Sequence, residues 1–347
     1  MFSAQSGDIE IHEVWGECGE NIMMRTTINK VAGAPTPMAG LALGIASLGW
    51  CWENAADLNG TGQVAGAAIA SAILLILIIK FVFHPKSLWN DLTHHVVGSV
   101  VPTFAMALMV VSKAVGIYAP YLAQAMWLSA VILHMIFLVL FVYHRAIEFK
   151  LHHMVPSWFV PPIGIIVADV AFPGGALRPL AEGLLVFGMG VYAVMLPIMV
   201  YRLIFSHEIP DAAKPTIAIM AAPASLSLAG YLTVEQSPSP VIIALLAGIA
   251  VLMTFVIYVA FFRLLRLDFS PGYAAFTFPM VIGATALFKT AAWMAANGVA
   301  QEYVNQVSLL ANVELYVSTV VVSYVVLRYL AYYRPISRLF SPVPQSL

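Results

Sequence analysis

Ten apolar stretches separated by short polar connections run along most of the chain, and each is long enough for a membrane-crossing helix. Such a helix needs about 20 predominantly apolar residues. The pattern therefore predicts an all-α integral membrane protein, and the short connections make consecutive helices antiparallel neighbours in five helical hairpins. The ten predicted helices are residues 34–53, 63–83, 96–114, 119–144, 156–173, 179–205, 213–234, 240–264, 271–293 and 304–332.

Proline distinguishes alternate helices of this series. The third, fifth, seventh and ninth helices carry proline at membrane depth, and the first begins with Pro35 and Pro37. Proline removes a helix donor and clashes with the carbonyl four residues back, and lipid cannot satisfy the freed carbonyl. We therefore predict an inner ring of kinked odd helices around a central pore, with an outer ring of smoother even helices. The membrane-depth prolines are Pro102, Pro161, Pro162, Pro223 and Pro279.

The composition supports a membrane protein over a soluble one. The chain is 61% hydrophobic and 10% charged, whereas soluble domains carry about 25% charged residues. We predict a transmembrane channel domain at residues 34–333, between tails at 1–33 and 334–347. Cys18 and Cys51 form no disulfide or metal pattern. The sequence contains no phosphate-binding glycine loop and no nucleic-acid signature, and we expect no cofactor.

Basic residues fall mainly on one side of the predicted bundle. Thirteen of the 16 lysines and arginines lie at one set of helix ends, and Lys113, Arg178 and Lys289 lie at the other. The positive-inside rule then places both termini in the cytoplasm and the protein in the cell (inner) membrane. A basic inner face could also concentrate anions, although insertion topology alone accounts for it.

The run from Phe276 to Met280 in the ninth helix is the leading candidate for a gate. An aromatic side chain beside a proline can plug a narrow pore, and hydrophobic constrictions gate by excluding water and ions. From the residues alone, packing of Phe278 against a neighbouring helix is the favoured interpretation. The other candidate pore-lining or kink residues are Gly40, Gly44, Pro102, Pro161, Pro223, Thr277, Pro279 and Gly283.

Asp169 is an acid within a predicted membrane helix, and such acids usually face a cavity or a partner. It lies roughly 20 Å from the cytoplasmic start of its helix, and Lys289 lies about 16 Å beyond Phe278. The two residues could therefore pair or titrate and so tune anion entry. The alternative is that Asp169 lies at the water interface and caps a helix end.

Histidines suggest a competing class of function, a membrane metal or haem enzyme. Seven of the nine lie near the predicted cytoplasmic side, and imidazole is a common metal ligand. However, His144 and the pair at 152–153 are too far apart for successive turns of one helix, and the His-Glu-x-x-His pattern is missing. We predict no metal site and no catalytic residues. The seven are His84, His94, His95, His144, His152, His153 and His207.

Five short runs resemble the tellurite-resistance/dicarboxylate transporter family, which includes bacterial homologues of the plant guard-cell slow anion channels. The resemblance covers roughly residues 34–333. It implies a homotrimer in which each protomer has its own pore, lined by the five odd helices and occluded by Phe278. Asp169 departs from the family, whose bacterial members have small polar residues at about that position. The runs are 35–44 (PTPMAGLALG), 156–161 (PSWFVP), 219–224 (IMAAPA), 230–232 (GYL) and 275–280 (AFTFPM).

The sequence and the resemblance together predict a gated channel for small anions such as chloride or nitrate, with Phe278 as the gate. The partners expected are therefore small inorganic or organic anions and the lipid bilayer. The alternative within the family is a proton-coupled transporter of malate-like dicarboxylates or sulfite, for which Asp169 is the best support. The membrane metal or haem enzyme is a more distant alternative.

Overall fold

The computed structural model describes residues 31–333, and all regular secondary structure in that range is helical. Most of the two predicted tails, together with Cys18, lies outside the described residues. Cys51 is buried and unpaired. The α-helices are α1 Met38–Trp52, α2 Thr61–Phe83, α3 Pro85–Thr93, α4 Val97–Val100, α5 Thr103–Val115, α6 Pro120–Ile147, α7 Val160–Ile163, α8 Val167–Val170, α9 Arg178–Phe205, α10 Ala222–Val234, α11 Pro240–Leu264, α12 Thr277–Ala296 and α13 Gln301–Tyr333.

Short 3₁₀ helices interrupt several of these elements. Two of them matter most for the site, because Asp211–Ala221 leads into α10 and Pro271–Phe276 leads into α12. The others are Leu151–His153, Pro156–Phe159, Gly164–Ile166 and Gly175–Leu177.

Eight helical segments in the described range are long and apolar enough to cross a membrane. The first and fifth predicted helices are shorter, at Met38–Trp52 and Pro156–Val170, and the fifth contains no α-helix longer than four residues. The prediction of an all-helical, multi-pass membrane protein is confirmed. The arrangement of ten helices as five hairpins stays a prediction.

The prolines act as breaks between helical pieces rather than as kinks within continuous helices. Pro102 precedes α5 directly, Pro161 and Pro223 are the second residues of α7 and α10, and Pro279 is the third residue of α12. The N–H groups in the first turn of a helix have no intrahelical partner, so proline costs little there. Pro197 differs because it lies inside α9, which continues past it.

Burial separates two sets of segments. In the most apolar stretches of residues 97–115, 211–234 and 271–296, 78%, 83% and 83% of the residues are buried. The corresponding shares are 28–39% for the segments that contain α2, α6, α9, α11 and α13. Every residue from 154 to 172 is also buried. We refer to residues 38–52, 97–115, 156–170, 211–234 and 271–296 as the core segments, and to α2, α6, α9, α11 and α13 as the peripheral helices.

The peripheral helices expose large apolar side chains on the outside of the bundle. Phe262 on α11 is 74% exposed and Val186 on α9 is 71% exposed. Such side chains are suited to contact with lipid, because lipid hydrocarbon tails are as apolar as these side chains. The peripheral helices therefore surround the core segments and present an apolar surface.

Close backbone approaches hold α1 against its neighbours. α1 packs against α2, α5, α12 and α13. A Cβ atom built on Gly66 of α2 would lie 2.8 Å from the carbonyl oxygen of Ile45 and 3.2 Å from the Cα atom of Gly49. These glycines allow the two helices to approach closely, as the Gly62-x-x-x-Gly66 spacing predicts.

Candidate functional site

A cavity of about 510 Å³ lies where the N-terminal ends of the core segments meet. Its size is within the range of about 300–1,000 Å³ that is usual for ligand sites. The wall is largely apolar, with hydroxyl groups from Thr36, Thr103, Thr216 and Ser270. Each core segment contributes at least one wall residue, so the cavity belongs to the centre of the bundle and not to a groove on its surface.

Phe278 lies at the inner end of this cavity and also borders a much smaller void. The void measures about 10 Å³ and is lined on its other sides by residues that include Ser47, Trp50 and Thr285. The Phe278 side chain is buried, with 7% of its surface exposed. The open space therefore narrows abruptly at the level of the Phe278 ring.

The two phenylalanines that flank Thr277 have different surroundings. Phe276 is fully buried and packs edge-on against Phe261 of α11, with ring centroids 5.4 Å apart, and against Tyr273 at 4.9 Å. Phe278 has no ring–ring contact among the described residues and borders the cavity instead. Phe276 is therefore packed against a neighbouring helix, whereas the buried Phe278 belongs to the core and also borders the cavity. The role of Phe278 as a gate stays a prediction.

Thr277 fixes the start of α12 and thereby the position of Phe278. Its hydroxyl group donates a hydrogen bond to the carbonyl of Ala274 at 2.7 Å and lies 3.2 Å from the carbonyl of Gly40. A Cβ atom on Gly44 would overlap the Thr277 side chain and come within 3.2 Å of the Phe278 nitrogen. Gly44 therefore allows α1 and α12 to pack closely behind the phenylalanine.

The remaining predicted pore residues fall into two groups. Gly40, Pro223 and Pro279 line the cavity together with Phe278. Gly44, Pro102, Pro161, Thr277 and Gly283 are absent from the wall of the described cavity. A Cβ atom on Gly283 would lie 2.5 Å from the Glu314 carboxylate, so this glycine faces α13.

Side chains from other elements satisfy carbonyl groups in and just after the broken core segment 156–170. His134 Nε2 on α6 is 2.8 Å from the carbonyl oxygen of Pro161, and Trp127 Nε1 donates to the carbonyl of Ala168 at 2.9 Å. Lys113 Nζ donates to the carbonyl of Phe172 at 3.1 Å. A segment without continuous helical bonding can thus remain at the centre of an apolar bundle.

Asp169 lies on α8 and is fully buried. Neither carboxylate oxygen has a hydrogen-bond partner on another described residue. The ion pairs of the described residues do not include one between Asp169 and Lys289. Asp169 is therefore a buried acid within the bundle, and a location at the water interface does not apply. Its role in charge tuning, and that of Lys289, stays a prediction.

Sequence reasoning missed two charged residues in the cavity wall, Lys80 and Asp91. Lys80 is the one charged residue in α2. Its position in an apolar helix was a signal that could have identified it. Asp91 lies on the short helix α3, where the sequence gives no comparable signal.

Five histidines lie close together just before the core segments 97–115, 156–170 and 211–234. The rings of His95 and His94 stack at 4.8 Å and those of His95 and His153 at 4.7 Å, while His152 contacts His153 and His207 edge-on. Burial, followed by repulsion from His94 and His153, lowers the pKa of His95 to about 4. Within residues 31–333, no group of three or more His, Cys, Asp and Glu residues is arranged to hold a metal ion.

Apolar helices long enough to cross a bilayer, packed around a central cavity, define a multi-pass helical membrane protein of the kind that transports solutes. Comparison with known proteins identifies the family. The chain belongs to the SLAC1 family, described as voltage-dependent anion channel, whose profile matches residues 37–332. The resemblance found in the five sequence runs is thereby confirmed.

Two archaeal proteins show similarity over more than half of the chain. The uncharacterized transporter MJ0762 of Methanocaldococcus jannaschii is 26% identical over 235 residues, which are 60% of this chain and 68% of that protein. The uncharacterized transporter MJ0576 of the same organism is 23% identical over 237 residues, 58% of this chain and 66% of that protein. The aligned regions thus span about two thirds of each relative, and the family is one of membrane transporters and channels.

Proposed function

We propose that this protein is a gated anion channel that passes small anions, such as chloride or nitrate, through a pore within each protomer. The observation that carries the proposal is the position of Phe278, which borders a cavity of about 510 Å³ on one side and a void of about 10 Å³ on the other. A buried apolar ring at such a narrowing excludes water and ions. Movement of this ring opens the path.

The arrangement around the pore follows from the two sets of segments. The five core segments form the inner ring and the five peripheral helices the outer ring, as five helical hairpins. The protein lies in the cell membrane with both termini in the cytoplasm and assembles as a homotrimer. The high burial of the core segments and the apolar exterior of the peripheral helices support this arrangement.

The chemistry of the wall favours conduction over tight binding. Gly40 and Ala222 leave room beside Pro223 and Pro279, and hydroxyl groups such as that of Thr103 donate to nearby backbone carbonyls. Those bonds offset part of the negative potential of the carbonyl groups. An anion therefore finds a narrow, weakly polar path that it can leave as readily as it enters.

The decisive experiment compares the two neighbouring phenylalanines in reconstituted bilayers. In Phe278→Ala we expect a large gain of anion conductance over the wild type, with currents carried by chloride and nitrate and compared with malate at two pH values. Phe276→Ala is the matched control, because it removes the same ring from the same helix start but from a packed position. Equal conductance of the two variants would refute Phe278 as the gate.

A second candidate is a proton-coupled transporter of malate-like dicarboxylates or sulfite. The observation in its favour is the buried carboxylate of Asp169, which has no partner on another described residue. This candidate predicts uptake of labelled malate or sulfite driven by a pH gradient, with no current from wild type or Phe278→Ala. Asp169→Asn would then abolish the dependence on the pH gradient, whereas in a simple channel it leaves the pH dependence of the flux unchanged.

A further inference from the structure

Lys80 and Asp91 are the two charged residues that the structure places in the cavity wall, and the gating step uses neither. Lys80 lies in the last turn of α2, and its side chain is only 5% exposed. Asp91 lies on α3, and its side chain is 23% exposed. A buried ammonium group is unfavourable unless it is paired and hydrogen-bonded. The wall is otherwise apolar or hydroxylic, so this lysine requires an explanation.

The two charges meet at the hydroxyl group of Thr36. Lys80 Nζ donates to Thr36 Oγ1 at 2.9 Å and lies 3.4 Å from Asp91 Oδ2. Thr36 Oγ1 in turn donates to the same carboxylate oxygen at 2.5 Å. An ammonium group and a hydroxyl group thus converge on one anionic oxygen. Charge-assisted donors of this kind bind anions more strongly than neutral donors do.

We propose that Lys80 and Thr36 form an anion-binding subsite of the cavity, which the Asp91 carboxylate occupies when no anion is bound. This inference rests on the proposed function, because it names the residues that attract the permeating ion. A small anion entering the cavity replaces Asp91 on Lys80, and Asp91 moves toward solvent, to which it is already partly exposed. Lys80 remains paired throughout the exchange, which makes a lysine tolerable in this wall.

The competition with Asp91 also keeps binding weak. With Asp91 in place the subsite has no net charge, so a passing anion gains little by staying. Conduction requires a site that an ion enters easily and leaves easily. Neutralising Asp91 leaves Lys80 as an uncompensated positive charge, which binds anions more tightly. Neutralising Lys80 leaves a negative charge at the same position, which repels them.

The test compares anion selectivity among variants that all carry the open gate, Phe278→Ala. Reversal potentials in asymmetric potassium chloride give the permeability ratio of chloride to potassium. A cleft lined by charges of one sign changes local ion concentrations by about 10- to 1,000-fold. Because Lys80→Met leaves the negative charge of Asp91 in the wall, we expect it to lower the ratio by about tenfold. Asp91→Asn should raise the ratio and Lys80→Arg should retain it. Lys86→Met is the control, because Lys86 is an exposed lysine on α3.

A second readout does not depend on current. This readout uses detergent-purified proteins without the gate substitution. Their thermal unfolding midpoints are measured at increasing concentrations of chloride, nitrate or malate, with the ionic strength kept constant by gluconate. We expect an anion-dependent rise in wild type, half-maximal at a lower anion concentration in Asp91→Asn and lost in Lys80→Met. Lys86→Met should follow the wild type. Ligands that bind only the folded state raise its stability in this way.

The two readouts separate failure of the subsite from failure of the channel. If Phe278→Ala carries no current but the anion-dependent rise still requires Lys80, the channel is wrong and the subsite stands. If current flows and Lys80→Met behaves as Lys86→Met does in both measurements, the subsite is wrong. If Lys80→Met does not fold, Asp91→Asn decides the question. A purely structural ion pair would lose stability in that variant without any gain in anion affinity, and such a result overturns the proposal.

Discussion

The core segments and the peripheral helices are both apolar, but they obtain their backbone hydrogen bonds in different ways. A peripheral helix such as α6 or α11 runs unbroken for 28 or 25 residues and satisfies its own backbone groups. The core segment 156–170 is divided into pieces of four residues or fewer, and carbonyls in it and just after it depend on Trp127, His134 and Lys113. The continuous helices can therefore face lipid, whereas the broken segments require protein around them.

This difference also explains where the cavity forms. A broken segment does not need to remain straight, and its pieces can end or begin at the level where space is required. Four of the five core segments contain such a break near the cavity, where α5, α7, α10 and α12 begin. The peripheral helices provide the apolar outer surface, and the core segments determine the shape of the cavity.

Replacing glycine by alanine should give the largest difference in stability between the core segments and the peripheral helices. We expect Gly44→Ala to destabilise the folded protein by about 1–3 kcal/mol, because the added Cβ atom overlaps Thr277 and forces α1 away from α12. The control is Gly248→Ala on α11, where a Cβ atom would meet no atom within 4 Å. That variant should be neutral or stabilising by up to about 1 kcal/mol.

Thermal unfolding of the two glycine variants in detergent, followed by size-exclusion chromatography, checks this prediction. Equal losses in Gly44→Ala and Gly248→Ala would contradict the close contact between α1 and α12. A loss confined to Gly44→Ala supports it.

Dependence of the core on the side chains of peripheral helices gives an effect of similar size. Trp127→Phe retains most of the aromatic surface but removes the donor to the carbonyl of Ala168. We expect a loss of about 1–3 kcal/mol, the usual effect of leaving a buried acceptor unsatisfied. Tyr121→Phe on the same helix is the control, because Tyr121 is 91% exposed. An equal decrease of the unfolding midpoint in both variants would show that the hydrogen bond is unimportant.

The smallest expected effect is a pH dependence from the histidine cluster outside the membrane-spanning segments. The pKa of His95 is lowered from 6.5 to about 4, first by burial and then by His94 and His153. Between these two values the unfolded chain binds a proton that the folded protein does not, so stability falls as the pH is lowered from 6.5 toward 4. The groups facing this ring include Arg145 and Glu148, and Glu148 partly opposes the shift.

Unfolding midpoints measured between pH 7 and pH 4 test the role of His95. His95→Gln should flatten the dependence, whereas His207→Gln, which alters an exposed histidine, should leave its slope close to that of the wild type. An unchanged slope in His95→Gln would assign the dependence to other groups.

Sequence reasoning located the site best where a pattern repeats along the chain. The alternation of proline-containing and smoother segments predicted which segments are buried, and Phe278 was selected from the run that carries the family resemblance. The direction of a small residue within a helix is not visible in the sequence. Gly44 and Gly283 are predicted as pore-lining or kink residues, and in the structure they make room for Thr277 and Glu314.

The sequence by itself determined the membrane class, the apolar segments, the family and the alternation of burial, because each follows from the composition or spacing of residues within one segment. Only the tertiary structure decided which side chains face the cavity. Phe276 and Phe278 are the same residue type two positions apart and therefore point to different sides of the chain, and only the structure shows that the cavity lies on the side of Phe278. A 3₁₀ helix has 3.0 residues per turn and an α-helix about 3.6, so each break resets the side-chain directions that a periodic pattern would predict.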